Sequence, residues 1–295
     1  MCERDNLNAW EEQGGFEWSV NRREFAALGA VGTLAACAPG ASMAGTAALA
    51  EDHVRIPTRD GTMDAFFVRP AKGRHPAILT WPDIAGLREA FHVMARRLAG
   101  QGYAVLVANP YYRDVPAPQF ADFNRFRSDN GFQKVSPWRA RLTADAIMRD
   151  AGALTGWLDA RDEVDTAAGI GTNGYCMGGP FTVFSAAGVP GRVRAAASLH
   201  GGGLVKADDP QSPDKLLGKT QASYLFAIAQ NDDAKEPEDK TDLKQAAAAA
   251  GRPAEIEVYP ADHGWTVIDS PAYDKAAAEK AWARMSALFE GLGQA

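Results

Sequence analysis

Gly174-Tyr175-Cys176-Met177-Gly178-Gly179 follows Ala168–Asn173, which reads as a short buried strand, and precedes a segment of helical composition. The order strand, glycine-rich turn, helix places a cysteine at a strand-to-helix corner, a nucleophile elbow with sulfur in place of oxygen. The turn imposes strained backbone angles on the residue at its tip, and the flanking glycines let neighbouring backbone pass where a Cβ would collide. A cysteine so placed stands above the sheet edge at a helix N-terminus, which favours the thiolate. The backbone N–H of Met177 then aims where an oxyanion would form. The competing reading is a small buried hydrophobe beside glycines that merely close a turn, and the hexapeptide alone does not choose between the two.

The chain around it alternates strand-like and helix-like segments, the pattern of a parallel sheet covered by helices on both faces. Val54–Thr58 and Met63–Arg69 flank Asp60-Gly61, so the fold opens with an antiparallel hairpin. Ala77–Trp81 and Tyr103–Ala108 read as buried strands. Between them, Phe91, Met94, Ala95 and Leu98 share one helical face over Glu89–Gly100. The tract from Asn109 to Val135 is too long for a plain connection and reads as an excursion over the carboxyl edge of the sheet. Ser136-Pro137 is taken as the cap and first turn of a long amphipathic helix carrying Trp138, Leu142, Ile147, Ala151, Leu154 and Leu158. After the nucleophile come a helix to about Gly188, strands Val193–Leu199 and Ser223–Ala229, a helix from about Lys240 to Gly251, strand Ala254–Tyr259 and a last helix Tyr273–Leu292. The expectation is one α/β-hydrolase domain over 51–295, a mostly parallel sheet of about eight strands.

Chain order then picks out chemistry. An α/β-hydrolase needs an acid after a later strand and a histidine after the next one. Asp232 and Asp233 follow the strand ending at Ala229, and His263 follows the strand ending at Tyr259, so both converge on the edge that carries Cys176. His263 would serve as general base and then general acid, with an aspartate fixing its tautomer. Asp232 is preferred, and Asp233 stays open. Leu199-His200-Gly201-Gly202-Gly203 imitates an HGGG oxyanion motif but follows the nucleophile, where that motif does not belong; His200 reads as a pocket wall. No spaced ligand pairs suggest a metal.

The 295 residues are 46% hydrophobic and carry a net charge of −6, with no basic stripe to recommend nucleic acid. Three cysteines, Cys2, Cys37 and Cys176, without a C-x-x-C pair argue against a disulfide framework. Residues 1–50 read as a leader: Asn21-Arg22-Arg23-Glu24-Phe25 precedes the apolar run Ala26–Ala36, too brief to span a bilayer. This resembles a twin-arginine export signal. Leu34-Ala35-Ala36-Cys37 resembles a lipobox and would leave a diacylated Cys37 as a membrane tether; Ala48-Leu49-Ala50 offers a cleavage site that would release a soluble periplasmic protein starting at Glu51. The first exit is preferred because Cys37 abuts the apolar run. A monomer is expected.

From about Val54 to the last helix the chain resembles the dienelactone hydrolase family. The resemblance rests on the nucleophile hexapeptide, on Asp83-Ile84-Ala85-Gly86-Leu87, on Gly102-Tyr103-Ala104 through Asn109-Pro110-Tyr111-Tyr112-Arg113, and on Ala261-Asp262-His263-Gly264-Trp265. It implies a cofactor-free Cys-His-Asp enzyme that opens lactones or related esters, with the N–H of Ile84 as the oxyanion donor opposite Met177. Two positions depart from the family. Asp83 stands where the family has a glutamate that helps move the thiol proton. No arginine follows His263 to grip a substrate carboxylate; Arg125, Arg127 and Lys134 are alternative cations. Asp83, Tyr112, Arg113, Arg125, His200 and Trp265 are the expected pocket residues. The alternative to a small-molecule hydrolase is a binding protein on the same fold, since fold does not fix function.

Overall fold

The first strand, Leu49–Thr58 (β1), turns through Asp60-Gly61 into Gly61–Pro70 (β2), and the pair runs antiparallel in unbroken register from Leu49↔Pro70 to Thr58↔Gly61. Gly61 has φ +142°, which a side chain would resist. The computed structural model describes residues 48–294, so the arginine pair, the apolar run and Cys37 lie outside the described residues. Ala48–Ala50 lies inside them, with Leu49 and Ala50 already in β1.

The chain continues through β3 (Ala77–Trp81), α1 (Glu89–Gly100), β4 (Ala104–Ala108), α2 (Phe123–Ser128), α3 (Gly131–Arg139), α4 (Ala144–Asp159) and β5 (Ile170–Tyr175). A 3-10 turn at Cys176–Gly178 leads into α5 (Gly179–Gly188). Then follow β6 (Val193–Leu199), α6 (Pro213–Leu216), β7 (Ser223–Ala229), α7 (Gln230–Lys235), α8 (Asp239–Ala249), β8 (Ala254–Tyr259) and α9 (Lys275–Glu290). The eight strands form one sheet in the order β1-β2-β4-β3-β5-β6-β7-β8. Among the described residues only the β1–β2 and β2–β4 pairings are antiparallel.

Every residue of β3, β4 and β5 is buried, as expected of strands covered on both faces. Alternate side chains feed two cores. Leu79 and Leu106 point into one with Ile147, Leu154 and Phe181; Ile78 and Val105 point into the other with Phe91, Leu98, Met285 and Phe289. Helices α4 and α5 thus cover one face, α1 and α9 the opposite one. This is the α/β-hydrolase arrangement, and it delivers the ends of β3, β5, β6, β7 and β8 to a single edge.

The excursion departs from its sequence reading. It contains α2, capped where Asp122 accepts the Arg125 N–H at 2.7 Å, and α3, which begins after Asn130 at φ +56°. Phe126 organises it, with the rings of Phe120, Phe123 and Phe132 at 5.2, 5.3 and 4.7 Å. Ser136-Pro137 does not start the long helix. Pro137 sits inside α3, and α4 begins at Ala144, where the Thr143 hydroxyl accepts the Ala146 N–H at 3.2 Å. The apolar series from Trp138 spans two helices because Trp138 and Leu142 pack on the same core from α3 and the following connection.

Candidate active site

β5 ends at Tyr175, and Cys176 takes φ +54° before the chain turns into α5. A non-glycine residue in this region stores strain of order 1–3 kcal/mol, which only surrounding contacts sustain. The glycines have measurable reasons. A Cβ at Gly174 would overlap the Gly178 carbonyl oxygen, and one at Gly178 would stand 2.5 Å from the Trp81 carbonyl oxygen and 2.6 Å from that of Pro82. The elbow therefore presses directly against the loop that follows β3.

That loop begins Asp83-Ile84. No acceptor among the described residues takes the Ile84 N–H. The buried Tyr111 hydroxyl donates to the Ile84 carbonyl at 2.8 Å, and that hydroxyl lies 3.4 Å from the Met177 sulfur. Tyr111 thus touches both residues expected to supply oxyanion donors. Sequence reasoning quoted it only as part of a motif.

β6 pairs with β5 so that Leu199 faces Tyr175, and the next residue, His200, therefore falls beside Cys176. His200 is fully buried at φ +40°, and its Nδ1 accepts the Cys176 backbone N–H at 3.1 Å. Nε2 must then carry the ring proton and donate it to Thr266 Oγ1 at 2.7 Å. Burial, with His263 nearby, holds the His200 pKa well below the ordinary histidine value, consistent with this neutral tautomer. His200 is thus more than a wall: it fixes the backbone of the cysteine.

The His263 ring packs on the His200 ring at 5.0 Å, and the buried Trp265 ring lies 5.1 Å from His200. His263 Nδ1 meets Asp232 Oδ2 at 2.6 Å, and the His263 N–H is held by Asn231 Oδ1 at 2.9 Å. Asp233 is committed elsewhere, to Lys240 at 2.6 Å. Both aspartates lie in α7 and not in an open loop. Cys176 is 6% exposed, and the nucleophilic chemistry considered below belongs to its reduced thiol form.

Other expected pocket residues have different employment. Asp83 gives both oxygens to Arg88, at 2.7 and 2.9 Å, and accepts the Ala85 N–H at 2.9 Å, so it is locked beside the oxyanion loop. Burial pushes its pKa up against the pull of Arg88. The Tyr112 hydroxyl lies 2.7 Å from Asp150 and 2.8 Å from the Thr58 hydroxyl. Arg113 bridges Asp60 and Asp150, both at 2.8 Å. These two residues brace the β1–β2 turn against α4. Arg125 is exposed and pairs with Asp129 at 3.5 Å. The cations that face a cavity are ones the sequence reading missed. Arg139 and Lys206 line a space of about 370 Å³ beside Met177, with Leu142, Phe181 and Phe184, and neither has an acidic partner among the described residues.

Comparison with known proteins gives the same picture. An Escherichia coli K12 protein provisionally named a carboxymethylenebutenolidase is 28% identical over 83% of this chain and 89% of its own length. A carboxymethylenebutenolidase of Rhodococcus opacus is 25% identical over 74% of this chain and 82% of its own. A provisionally assigned dienelactone hydrolase from Klebsiella pneumoniae superposes with a TM-score of 0.69 at 26% identity, covering 82% of this chain and 99% of that one. The profile of the Dienelactone hydrolase family matches residues 63–292. With the elbow, the sheet order and the converging loops, this match places the chain in the dienelactone hydrolase family, as a hydrolase of its α/β-hydrolase fold.

Proposed function

We propose that this chain is an exported hydrolase that cleaves a small ester, lactone or thioester through a Cys176 acyl-enzyme. The observation that carries this reading is the shared contact at His200, which accepts the Cys176 N–H and packs against the His263 ring that Asp232 orients. In the reduced enzyme His263 takes the Cys176 proton as sulfur bonds to the acyl carbon. The carbonyl oxygen becomes an oxyanion facing the N–H groups of Met177 and Ile84. Collapse breaks the C–O bond, or C–S bond in a thioester, and His263 returns its proton to the leaving oxygen or sulfur. Water then attacks the acyl carbon, giving a proton to His263. The second collapse releases the acid and regenerates the thiol. Asp232 holds the proton on His263 Nδ1 and stabilises the imidazolium in both steps.

Arg139 and Lys206 at the cavity beside Met177 favour a substrate whose acyl or leaving part carries an anionic group beside an apolar one. The leader supports export. Processing at Cys37 is favoured over a cut after Ala50, because the latter would remove the paired residues Leu49 and Ala50 from β1. An intact mass of the mature protein distinguishes a diacylated start at Cys37 from a start at Glu51.

The test of the reaction is hydrolysis of p-nitrophenyl acetate, a neutral lactone and a carboxylate-bearing lactone by reduced enzyme beside Cys176→Ala. Turnover lost in the variant, with a trapped thioester in the wild type, is expected. Turnover that survives Cys176→Ala would sink the mechanism.

A further inference from the structure

We propose that Arg88 is a positioning residue for the oxyanion pocket, clamping the loop that carries Ile84 to the loop that carries His263. The inference rests on the acyl-enzyme reading above. Arg88 stands at the N-terminal boundary of α1, where an arginine would ordinarily point to solvent, yet its side chain is 0% exposed. All five of its N–H groups are donated. Nε reaches Asp269 Oδ2 at 2.7 Å, and Nη2 reaches Asp269 Oδ1 at 2.6 Å and Asp83 Oδ2 at 2.9 Å. Nη1 reaches Asp83 Oδ1 at 2.7 Å and the Gly86 carbonyl at 3.1 Å. The guanidinium also lies 5.0 Å from the Phe91 ring and 5.7 Å from the Phe123 ring.

These contacts tie three segments together. Asp83 immediately precedes Ile84 and accepts the Ala85 N–H, so it sets the course of the oxyanion loop. Asp269 lies on the stretch after His263 and accepts the Phe123 N–H at 3.1 Å, which adds the start of α2. Burying one cation with two carboxylates is no cheap route to stability, since well-packed apolar side chains of similar volume would serve as well. What the cluster provides and apolar residues do not is directional fixation of two loops at once. It also occupies both Asp83 oxygens, which leaves His263 as the base for the thiol.

The experiment compares full-length reduced wild type with Arg88→Lys, Arg88→Met and Asp269→Asn. Three quantities are read: kcat and KM on p-nitrophenyl acetate, the rate of Cys176 alkylation by iodoacetamide followed by peptide mass, and the melting temperature. Alkylation at sulfur forms no oxyanion, so it reports the thiol without the hole. The expected result is a kcat loss of about 10- to 100-fold in Arg88→Met, with KM and the alkylation rate within about threefold of wild type. Arg88→Lys, which can hold one carboxylate but not fork between two, should fall between. If the Arg88 variants do not fold, Asp269→Asn, which keeps the side-chain shape, is read by the same ratio. Unchanged kcat in a folded variant, or kcat and alkylation falling in parallel, overturns the proposal. A wild type that alkylates but never turns over overturns the acyl-enzyme reading itself, and this inference with it.

Discussion

Gly178→Ala tests the contact on which the site depends most directly. Gly178 has φ −74° and ψ −13°, angles that alanine adopts freely, so the substitution carries no conformational penalty of its own. Its consequence is purely steric. The new methyl would stand 2.5 Å from the Trp81 carbonyl oxygen and 2.6 Å from that of Pro82, both backbone atoms that cannot rotate away. Ordinary contact begins near 3.4 Å, so the elbow and the loop after β3 must part by about 1 Å. The N–H groups of Met177 and Ile84 belong to those two segments, and a misplacement of about 1 Å at reacting groups costs about 100-fold. Stability should fall by about 1–3 kcal/mol, the usual cost of overpacking. Steady-state kinetics on p-nitrophenyl acetate and a thermal melt read both effects. Gly156→Ala is the control: it lies in α4, its methyl meets nothing within 4 Å, and it should stabilise by about 0.5–1 kcal/mol with kcat unchanged. If Gly178→Ala keeps kcat within about threefold of wild type while Gly156→Ala behaves as stated, the oxyanion pocket is not where Met177 and Ile84 put it.

Asp232→Asn should lower kcat by about 10²- to 10⁴-fold by misassigning the His263 tautomer, whereas Asp233→Asn should leave it near wild type; the reverse order would transfer the role to Asp233. Arg139→Ala with Lys206→Ala should raise KM for a carboxylate-bearing ester about tenfold or more over its effect on a neutral ester of the same size, and equal effects would remove the cation pair from substrate recognition. Asp239 is raised to about 6 by burial and by Glu236, Asp242 and Asp214. A folded pKa above the unfolded 3.8 means stability that is full below that value and lost as pH rises through about 6, so Asp239→Asn should stabilise at pH 7.5 and not at pH 3.5. Because Asp239 is only partly buried, the gain after solvent screening is about 1 kcal/mol or less, read as a rise in melting temperature; equal shifts at both pH values would refute it.

Much of this fold was legible because its strands are short apolar runs bounded by turn residues. Ala77–Trp81, Val193–Leu199, Ser223–Ala229 and Ala254–Tyr259 have the ends the sequence suggests, as does the helix Glu89–Gly100. The excursion was misread because what orders it is the ring cluster around Phe126, a tertiary arrangement with no period in sequence. The same limit hid Arg88, whose partner Asp269 is 181 residues away. An arginine at a helix start reads as a solvated charge until the chain is folded. His200 was partly within reach. Once β5 and β6 are neighbours with Tyr175 opposite Leu199, the next residue on each strand must meet. The sequence reading stopped at the observation that an HGGG motif was out of order there.

That meeting of His200 and Cys176 joins strain to protonation. Both residues hold positive φ, +40° and +54°, and the bond between them runs from a backbone N–H to a ring nitrogen with a free lone pair. A protonated His200 has no such lone pair, so the bond exists only while the ring is neutral. The groups facing the ring from the packed elements are Tyr175, Cys176, His263, Trp265 and Thr266; among them the Tyr175 hydroxyl is pushed up by burial and stays neutral, and His263 repels a second cation. A folded-state pKa lowered from 6.5 means the native protein binds fewer protons than the unfolded chain as pH falls below that value. Stability is therefore full above about pH 6.5 and lost progressively below it. His200→Gln can accept the Cys176 N–H through its amide oxygen but cannot titrate, so its melting temperature should be lower at pH 7.5 and fall less steeply between pH 6.5 and 5. A variant as steep as wild type over that range would show that the acid sensitivity lies elsewhere, and that the neutral ring is not what holds the cysteine in its strained turn.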